Sequence, residues 1–227
     1  MSRIEIFHDP VVFDIGSVPV TQTMLTTVGV SLSLVGVAAL MRTAIRNRPS
    51  GSLATVAQMT VGALEGLVED VVGRRVPWLT VFSGSLFLFI AACNISGQLP
   101  GVHPPTANLA TTSALAMVVF VTVPAAGIMS RGPVGYFKHY LKPNPLLLPL
   151  HLISEVSRTF ALAMRLFGNM MSGHLIVALL VALAGILVPT PLMALDLLIG
   201  LLQAYIFALL STVYVGAALR SETGEES

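Results

Sequence analysis

A single arginine inside a long apolar stretch is the feature that most constrains this chain. Arg165 stands within residues 160–181, where nearly every other residue is apolar or small. A guanidinium keeps its charge in any protein setting, and placing one at the centre of a bilayer costs about 3 kcal/mol or more. The position therefore predicts a functional charge. The structural alternative is an arginine that extends to the membrane surface or belongs to an ion pair.

The composition and the spacing of charges predict a membrane protein with several spanning helices. Of 227 residues, 55% are hydrophobic and 10% are charged, and residues 16–41, 76–130 and 166–195 contain no Asp, Glu, Lys or Arg. Each stretch exceeds the ~20 residues that a spanning helix needs. Breaks rich in Pro and Gly near 97–106 and 188–191 predict helices near 77–96, 107–129, 145–187 and 192–219. We therefore expect an all-α polytopic membrane protein with about five membrane-embedded helices.

The segment 50–73 differs from the charge-free spanning stretches. Its apolar residues recur at helical spacing, while Glu65, Glu69 and Asp70 fall mostly outside that apolar spacing. This pattern predicts an amphipathic helix on the cytoplasmic membrane surface; a helix packed on a partner protein is the alternative. We expect one membrane domain over 1–227. Its parts are an external segment (1–20), a first spanning helix (21–45), the surface helix (50–73), a helical hairpin (77–129), a second, long hairpin (145–219) and a cytoplasmic tail (220–227).

Basic residues lie at one end of every predicted span, and the two hairpin tips carry none. The positive-inside rule makes that side cytoplasmic, with the N-terminus outside and the C-terminus inside. The residues concerned are Arg42, Arg46, Arg48, Arg74, Arg75, Arg131, Lys138, Lys142 and Arg220.

The fourth embedded helix carries a polar stripe. Asn169 and Ser172 follow Arg165 by one and two turns, and Arg158 and His151 precede it by two and four turns. Such a stripe cannot face lipid, so it predicts a water-filled cavity or a protein partner. Glu155 and Arg158 have the spacing to neutralise one another.

Three further polar residues, one before and two after the last predicted turn, extend this pattern. An antiparallel hairpin brings Asp196 near the level of His174 and brings Gln203 toward Arg165. We therefore predict a relay between His174 and Asp196, with an Arg165–Gln203 pair deeper in the membrane.

Motifs for nucleotide, metal or nucleophile chemistry are missing from the sequence. We therefore expect no cofactor, no bound metal and no nucleic-acid partner. A fixed positive charge beside a polar path would repel cations unless a carboxylate meets it, and this chain supplies few. A partner protein is expected to bring that carboxylate.

Two segments are specific enough to indicate a family. Residues 165–174, RLFGNMMSGH, and 202–207, LQAYIF, resemble the signature segments of subunit a of the F-type ATP synthase membrane sector. Cys93-Asn94, Leu99-Pro100-Gly101 and Pro105-Thr106-Ala107 are similar to the family's second hairpin.

This resemblance implies a stator subunit of a rotary machine, without catalytic nucleotide chemistry of its own. Arg165 would be the essential arginine that faces a ring of c subunits, with Gln203 and Asn169 near it. The ion pathway would run through two offset half-channels and include His174, Asp196, Asn108, Ser172 and His151. The last two helices would be tilted against the ring. The complex would include b-type peripheral stalk subunits and lie in the cell inner membrane.

The sequence departs from the family pattern in two places. Many members have an acidic residue where His174 stands and a histidine where Asp196 stands, so the two types are exchanged here. Many also have Asp and Asn where Asn108 and Ala110 stand, which removes a titratable group from the expected outer half-channel. We expect the transported ion to be a proton, with sodium as the alternative. A free-standing secondary transporter or channel is a further alternative, although paired repeats are missing from the sequence.

Overall fold

The computed structural model describes residues 11–15, 18–47, 51–99, 102, 104–141, 148–185 and 188–220. Within these ranges the chain forms a two-stranded hairpin and six helices. The strands are β1 (Val11–Ile15) and β2 (Val18–Thr21), and the helices are α1 (Gln22–Asn47), α2 (Ser52–Val72), α3 (Pro77–Ser96), α4 (Leu109–Leu141), α5 (Leu148–Ala184) and α6 (Thr190–Arg220). A short 3₁₀ turn, Pro105–Ala107, precedes α4.

The predicted fold class is confirmed. Five of the helices, all except α2, are long and apolar enough to span a membrane. Apart from the continuation of α4, the bounds of the helices lie within a few residues of the predicted ones, because Pro and Gly residues lie near their ends. Pro77 begins α3, and Gly73 ends α2 in the left-handed conformation, with φ 78° and its N–H bonded to the Glu69 carbonyl.

Two features were not predicted. β1 and β2 pair antiparallel in the segment expected only to be external; its runs of Val, Ile and Phe have high strand propensity. The spanning part of α4, Leu109–Ser130, ends where it was expected to end. The helical continuation to Leu141, beyond a break at Gly132 where φ is 72° and Pro133 follows, was not predicted.

Helices α3 and α6 form the centre of the molecule. They run antiparallel, because Asn94 Nδ2 donates to the Gly200 carbonyl at 2.7 Å near one end while Ser83 and Thr212 share a 2.7 Å hydrogen bond near the other. Buried apolar side chains of α4 and α5 pack against this pair. We call the end where α3 and α5 terminate and α4 and α6 begin the tip end, and the opposite end, where Val68 and Val72 of α2 pack on α6, the α2 end.

Helix α2 has the predicted amphipathic pattern. Ala54, Ala57, Val68 and Val72 are buried against the other helices. A second apolar strip of Leu53, Val56 and Met59 is exposed, and Glu65 and Glu69 are exposed as well. An exposed apolar strip beside exposed acids is the pattern of a helix at a membrane surface.

We predict that α2 and the tip end lie on opposite sides of the membrane. In a Cys93→Ser background, Glu65→Cys should react with an impermeant maleimide in inverted vesicles only. Leu99→Cys, which replaces a tip-end side chain that is 59% exposed, should react from the outside only. Labelling of both cysteines from the same side would overturn this topology.

Candidate functional site

Arg165 lies on the exposed face of α5. Leu162, Leu166 and Met170 are spaced four residues apart and buried, which fixes the opposite face against the core. The Arg165 side chain is therefore directed outward, and among the described residues it has no hydrogen bond or ion pair. Arg158 and Ser172 are exposed too, and Asn169 is half-buried. The predicted polar stripe is thus an outward surface of this subunit.

Gln203 is at the level of Arg165 but does not bond to it. Met170 packs on Gly200, and the Asp196 carboxylate packs on Gly173, so the α5–α6 register places Gln203 opposite the turn that carries Arg165. Its side chain is 5% exposed, and its Nε2 is buried without a hydrogen-bond partner. Gln203 therefore lies at the level of Arg165, as the sequence predicted. The predicted pair is not formed within the described part of the chain, because Arg165 projects from the exposed face while Gln203 lies inside.

At the tip end, Asp196 and His174 lie near each other. A Cβ added to Gly173 would overlap the Asp196 carboxylate, lying 2.7 Å from its Cγ. The neighbouring residue, His174, is half-buried, and its Nε2 would be 3.0 Å from a Cβ on Gly97. Gln98 Nε2 donates a 3.3 Å hydrogen bond to Asp196 Oδ2. The sequence predicted that His174 and Asp196 would be near each other, but it did not predict that the end of α3 contacts both.

A buried amide fixes this end of α3. The Asn94 side chain is 3% exposed; it donates to the Gly200 carbonyl, and its Oδ1 accepts a 2.9 Å hydrogen bond from Thr106 Oγ1. Asn94 thus ties α3, α6 and the 3₁₀ turn together. The polar spacing of Asn94 and Gln98, one turn apart at the end of an apolar helix, was the signal that could have identified both.

The other predicted pathway residues have simpler local roles or lie outside the description. Asn108 Oδ1 accepts the Ala110 N–H at 2.9 Å, so Asn108 caps α4. Ser172 Oγ donates to the Asn169 carbonyl at 3.1 Å. The His151 side chain lies outside the described residues. Participation of these residues in ion transport stays a prediction.

A second polar site lies toward the α2 end. There, a small cleft of about 10 Å³, enough for about one water molecule, is lined by Val119, Phe120, Val123, Glu155, Arg158, Thr159, Leu162 and Tyr214. The Arg158 guanidinium carbon lies 4.6 Å from the centre of the Tyr214 ring, a cation–π distance. From the sequence, Arg158 was connected with Glu155 alone, although the antiparallel α5–α6 register that placed Gln203 near Arg165 also brings Tyr214 close to the level of Arg158.

These features define a multi-pass helical membrane protein with an exposed charge between two polar sites. The model of the family described as ATP synthase A chain matches residues 22–216. The chain belongs to this family. It is 42% identical over 209 residues to an ATP synthase subunit a 2 of Bradyrhizobium, covering 92% of this chain and 93% of the relative. It is 43% identical over 214 residues to a subunit a 1 of Chlorobium luteolum, covering 93% and 95%, and 41% identical to a subunit a 1 of Hahella chejuensis, covering 94% and 91%.

Gly173→Ala should destabilise the protein, because its methyl group would displace the Asp196 carboxylate. Overpacking typically costs about 1–3 kcal/mol, which is larger on average than the roughly 0.5–1 kcal/mol that alanine gains over glycine inside a helix. A Cβ added at Gly168, on the same helix, would have no neighbour within 4 Å, so Gly168→Ala should be neutral or stabilising. Thermal unfolding of the detergent-solubilised chain measures both.

In an Asp196→Ala background the cost of Gly173→Ala should disappear. An equal cost with and without the carboxylate would contradict the proposed contact.

Proposed function

We propose that this chain is the ion-translocating stator subunit of a rotary F-type ATP synthase. The single observation that carries the proposal is the Arg165 guanidinium, exposed in a spanning helix and unpaired among the described residues. A charge of this kind is not stable against lipid, so it requires a partner that presents a carboxylate at the same depth. A ring of c subunits that carry such carboxylates fits this requirement, and the subunit a names of the relatives support it.

The two polar sites supply the two access routes. Arg165 is nine residues before His174 and ten residues after Glu155, so each site is about 14–15 Å from it along α5 at 1.5 Å per residue. In this proposal the tip-end site opens to the outside and the cleft at Glu155, Arg158 and Tyr214 opens to the cytoplasm. Since Arg165 lies between them, an ion crosses only when a ring carboxylate carries it from one site to the other.

The fixed charge of Arg165 performs two tasks in this scheme. It favours the ionised form of a ring carboxylate that arrives beside it, which promotes release of the bound ion. It also repels free cations, which prevents leakage between the two sites. Asn169, one turn away, adds to the polar surface that the arriving carboxylate meets, while Gln203 provides a buried amide at the same level behind it.

His174 and Asp196 form the outer ion-accepting unit in the proposal. Because both lie beside Gly97 and Gln98, exchange of their positions relative to many family members keeps an acid and an imidazole at one place. The transported ion is a proton in our proposal, with sodium as the alternative. The complex would lie in a cell inner membrane with b-type stalk subunits, its N-terminus outside and its C-terminus cytoplasmic, as the basic clusters indicate.

Arg165→Lys should allow assembly but lower ATP-driven ion uptake at least about tenfold, because an ammonium is more strongly hydrated and lacks the planar fork. Arg165→Ala should in addition permit passive ion flux down an imposed gradient. Both are measured in reconstituted complexes, with either a pH-sensitive or a sodium-sensitive dye to identify the ion. Arg75→Lys, which alters an exposed pair with Glu69, is the control and should pump normally.

Near-normal uptake in Arg165→Lys would reject the proposed role. Transport of an anionic substrate by the purified chain without a ring would instead favour a free-standing transporter.

The exchanged variant, His174→Asp with Asp196→His, should pump faster than the slower of the single variants His174→Ala and Asp196→Ala. The reason is that the exchange restores one acid and one imidazole to the same place. Uptake rates of the four proteins, divided by the amount of assembled complex, test this. If the single defects multiply in the double alanine variant and exchange brings no recovery, the two residues act independently.

A further inference from the structure

The end of α3 brings a neutral amide to the outer site. We propose that Gln98 is a positioning residue that holds the Asp196 carboxylate beside His174 and sets how tightly that carboxylate binds the incoming ion. The inference deepens the proposed function and rests on it, because it concerns the same outer site.

Gln98 is held firmly enough to position another side chain. Its backbone N–H donates to the Ile95 carbonyl at 3.1 Å, which closes the last turn of α3. One turn earlier, Asn94 is bonded to both Gly200 and Thr106. Asp196 is itself one turn from Gly200 on α6. The donor and the acceptor therefore both extend from backbone segments that the Asn94 hydrogen bonds lock together.

The two carboxylate oxygens of Asp196 make different contacts. Oδ2 accepts the Gln98 hydrogen bond, and Oδ1 is the oxygen nearest to Gly173, next to His174 in the chain. The absence of a side chain at Gly173 gives the carboxylate room to take this orientation. Gln98 thus limits the rotation of the carboxylate and directs Oδ1 toward the turn of α5 that carries His174.

An amide is suited to this task because it does not titrate. Gln98 carries no charge in either state of Asp196, so it orients the carboxylate without taking up a proton itself. Its N–H nevertheless competes with the incoming ion for the oxygen lone pairs. Removal of the donor should therefore let Asp196 bind the ion more tightly and release it more slowly.

The test uses ATP synthesis by reconstituted complexes that are supplied with the ion from the outer side. Gln98→Met keeps the length of the side chain and removes the donor. The external ion concentration that half-saturates synthesis should fall about threefold to tenfold, the equivalent of one hydrogen bond, while the assembled amount stays unchanged. Gln98→Asn, whose amide is one methylene too short to reach Asp196, should also lower this half-saturating concentration. Gln58→Met, the same change at an exposed position on α2, should leave the half-saturating concentration unaltered.

A lower maximal rate with an unaltered half-saturating concentration, or failure of both Gln98 variants to assemble, would mean that Gln98 is only structural and would overturn the inference. Arg165→Ala in the same assay keeps the two claims apart. If Arg165→Ala still synthesises ATP normally, the proposed function fails. If Arg165→Ala abolishes synthesis while the Gln98 variants saturate like the unmodified complex, only the positioning role fails.

Discussion

Polar groups cannot be left without partners in a hydrocarbon layer, and this constraint organises the whole molecule. The helices satisfy their own backbone N–H and C=O groups, so the polar side chains are the groups that still need partners. In the centre of the molecule, the polar side chains of α3 and α6 find these partners on each other. Three polar contacts, Ser83–Thr212, Asn94–Gly200 and Gln98–Asp196, lie along it in one antiparallel register. They set the axial position of α6, and α6 in turn sets the level of Gln203 and Asp196 relative to α5.

Small residues make these contacts possible. Side chains of neighbouring helices occupy the space beside Gly84, Gly173, Gly200 and Gly216, and an added Cβ would lie within about 3 Å of them. Packing at small residues replaces the hydrophobic driving force that helices lack between each other in lipid. At Gly173 the same device has a chemical consequence, since the group that fills the space is a carboxylate rather than a methyl group. Close packing and the proposed outer site therefore depend on one residue.

Local sequence was enough to predict the helices, because hydropathy and Pro or Gly breaks act within a few residues. The α5–α6 register was also accessible, since a short turn forces the two helices to lie antiparallel. The sequence did not show which third helix packs against α5 and α6. The Gln98–Asp196 contact joins residues 98 positions apart in the sequence, and only the packing of α3 against α6 brings them together. The β-hairpin was missed because membrane-scale hydropathy outweighed a strand signal of a few residues.

Arg165 and Gln203 show how stability and function diverge in this fold. The core could have satisfied the guanidinium by directing it inward toward Gln203, since both are at one level. Instead, Leu162, Leu166 and Met170 occupy the inner face of α5 and direct Arg165 outward, while the Gln203 amide keeps a buried Nε2 without a partner. A buried unsatisfied amide typically costs about 1–3 kcal/mol. A chain optimised only for stability would have removed both features, so their presence supports a charge that is kept available for groups that move past it. The fold holds Arg165 in place by packing rather than by hydrogen bonds to the described residues, and this leaves its donors available for the carboxylates of the proposed partner ring.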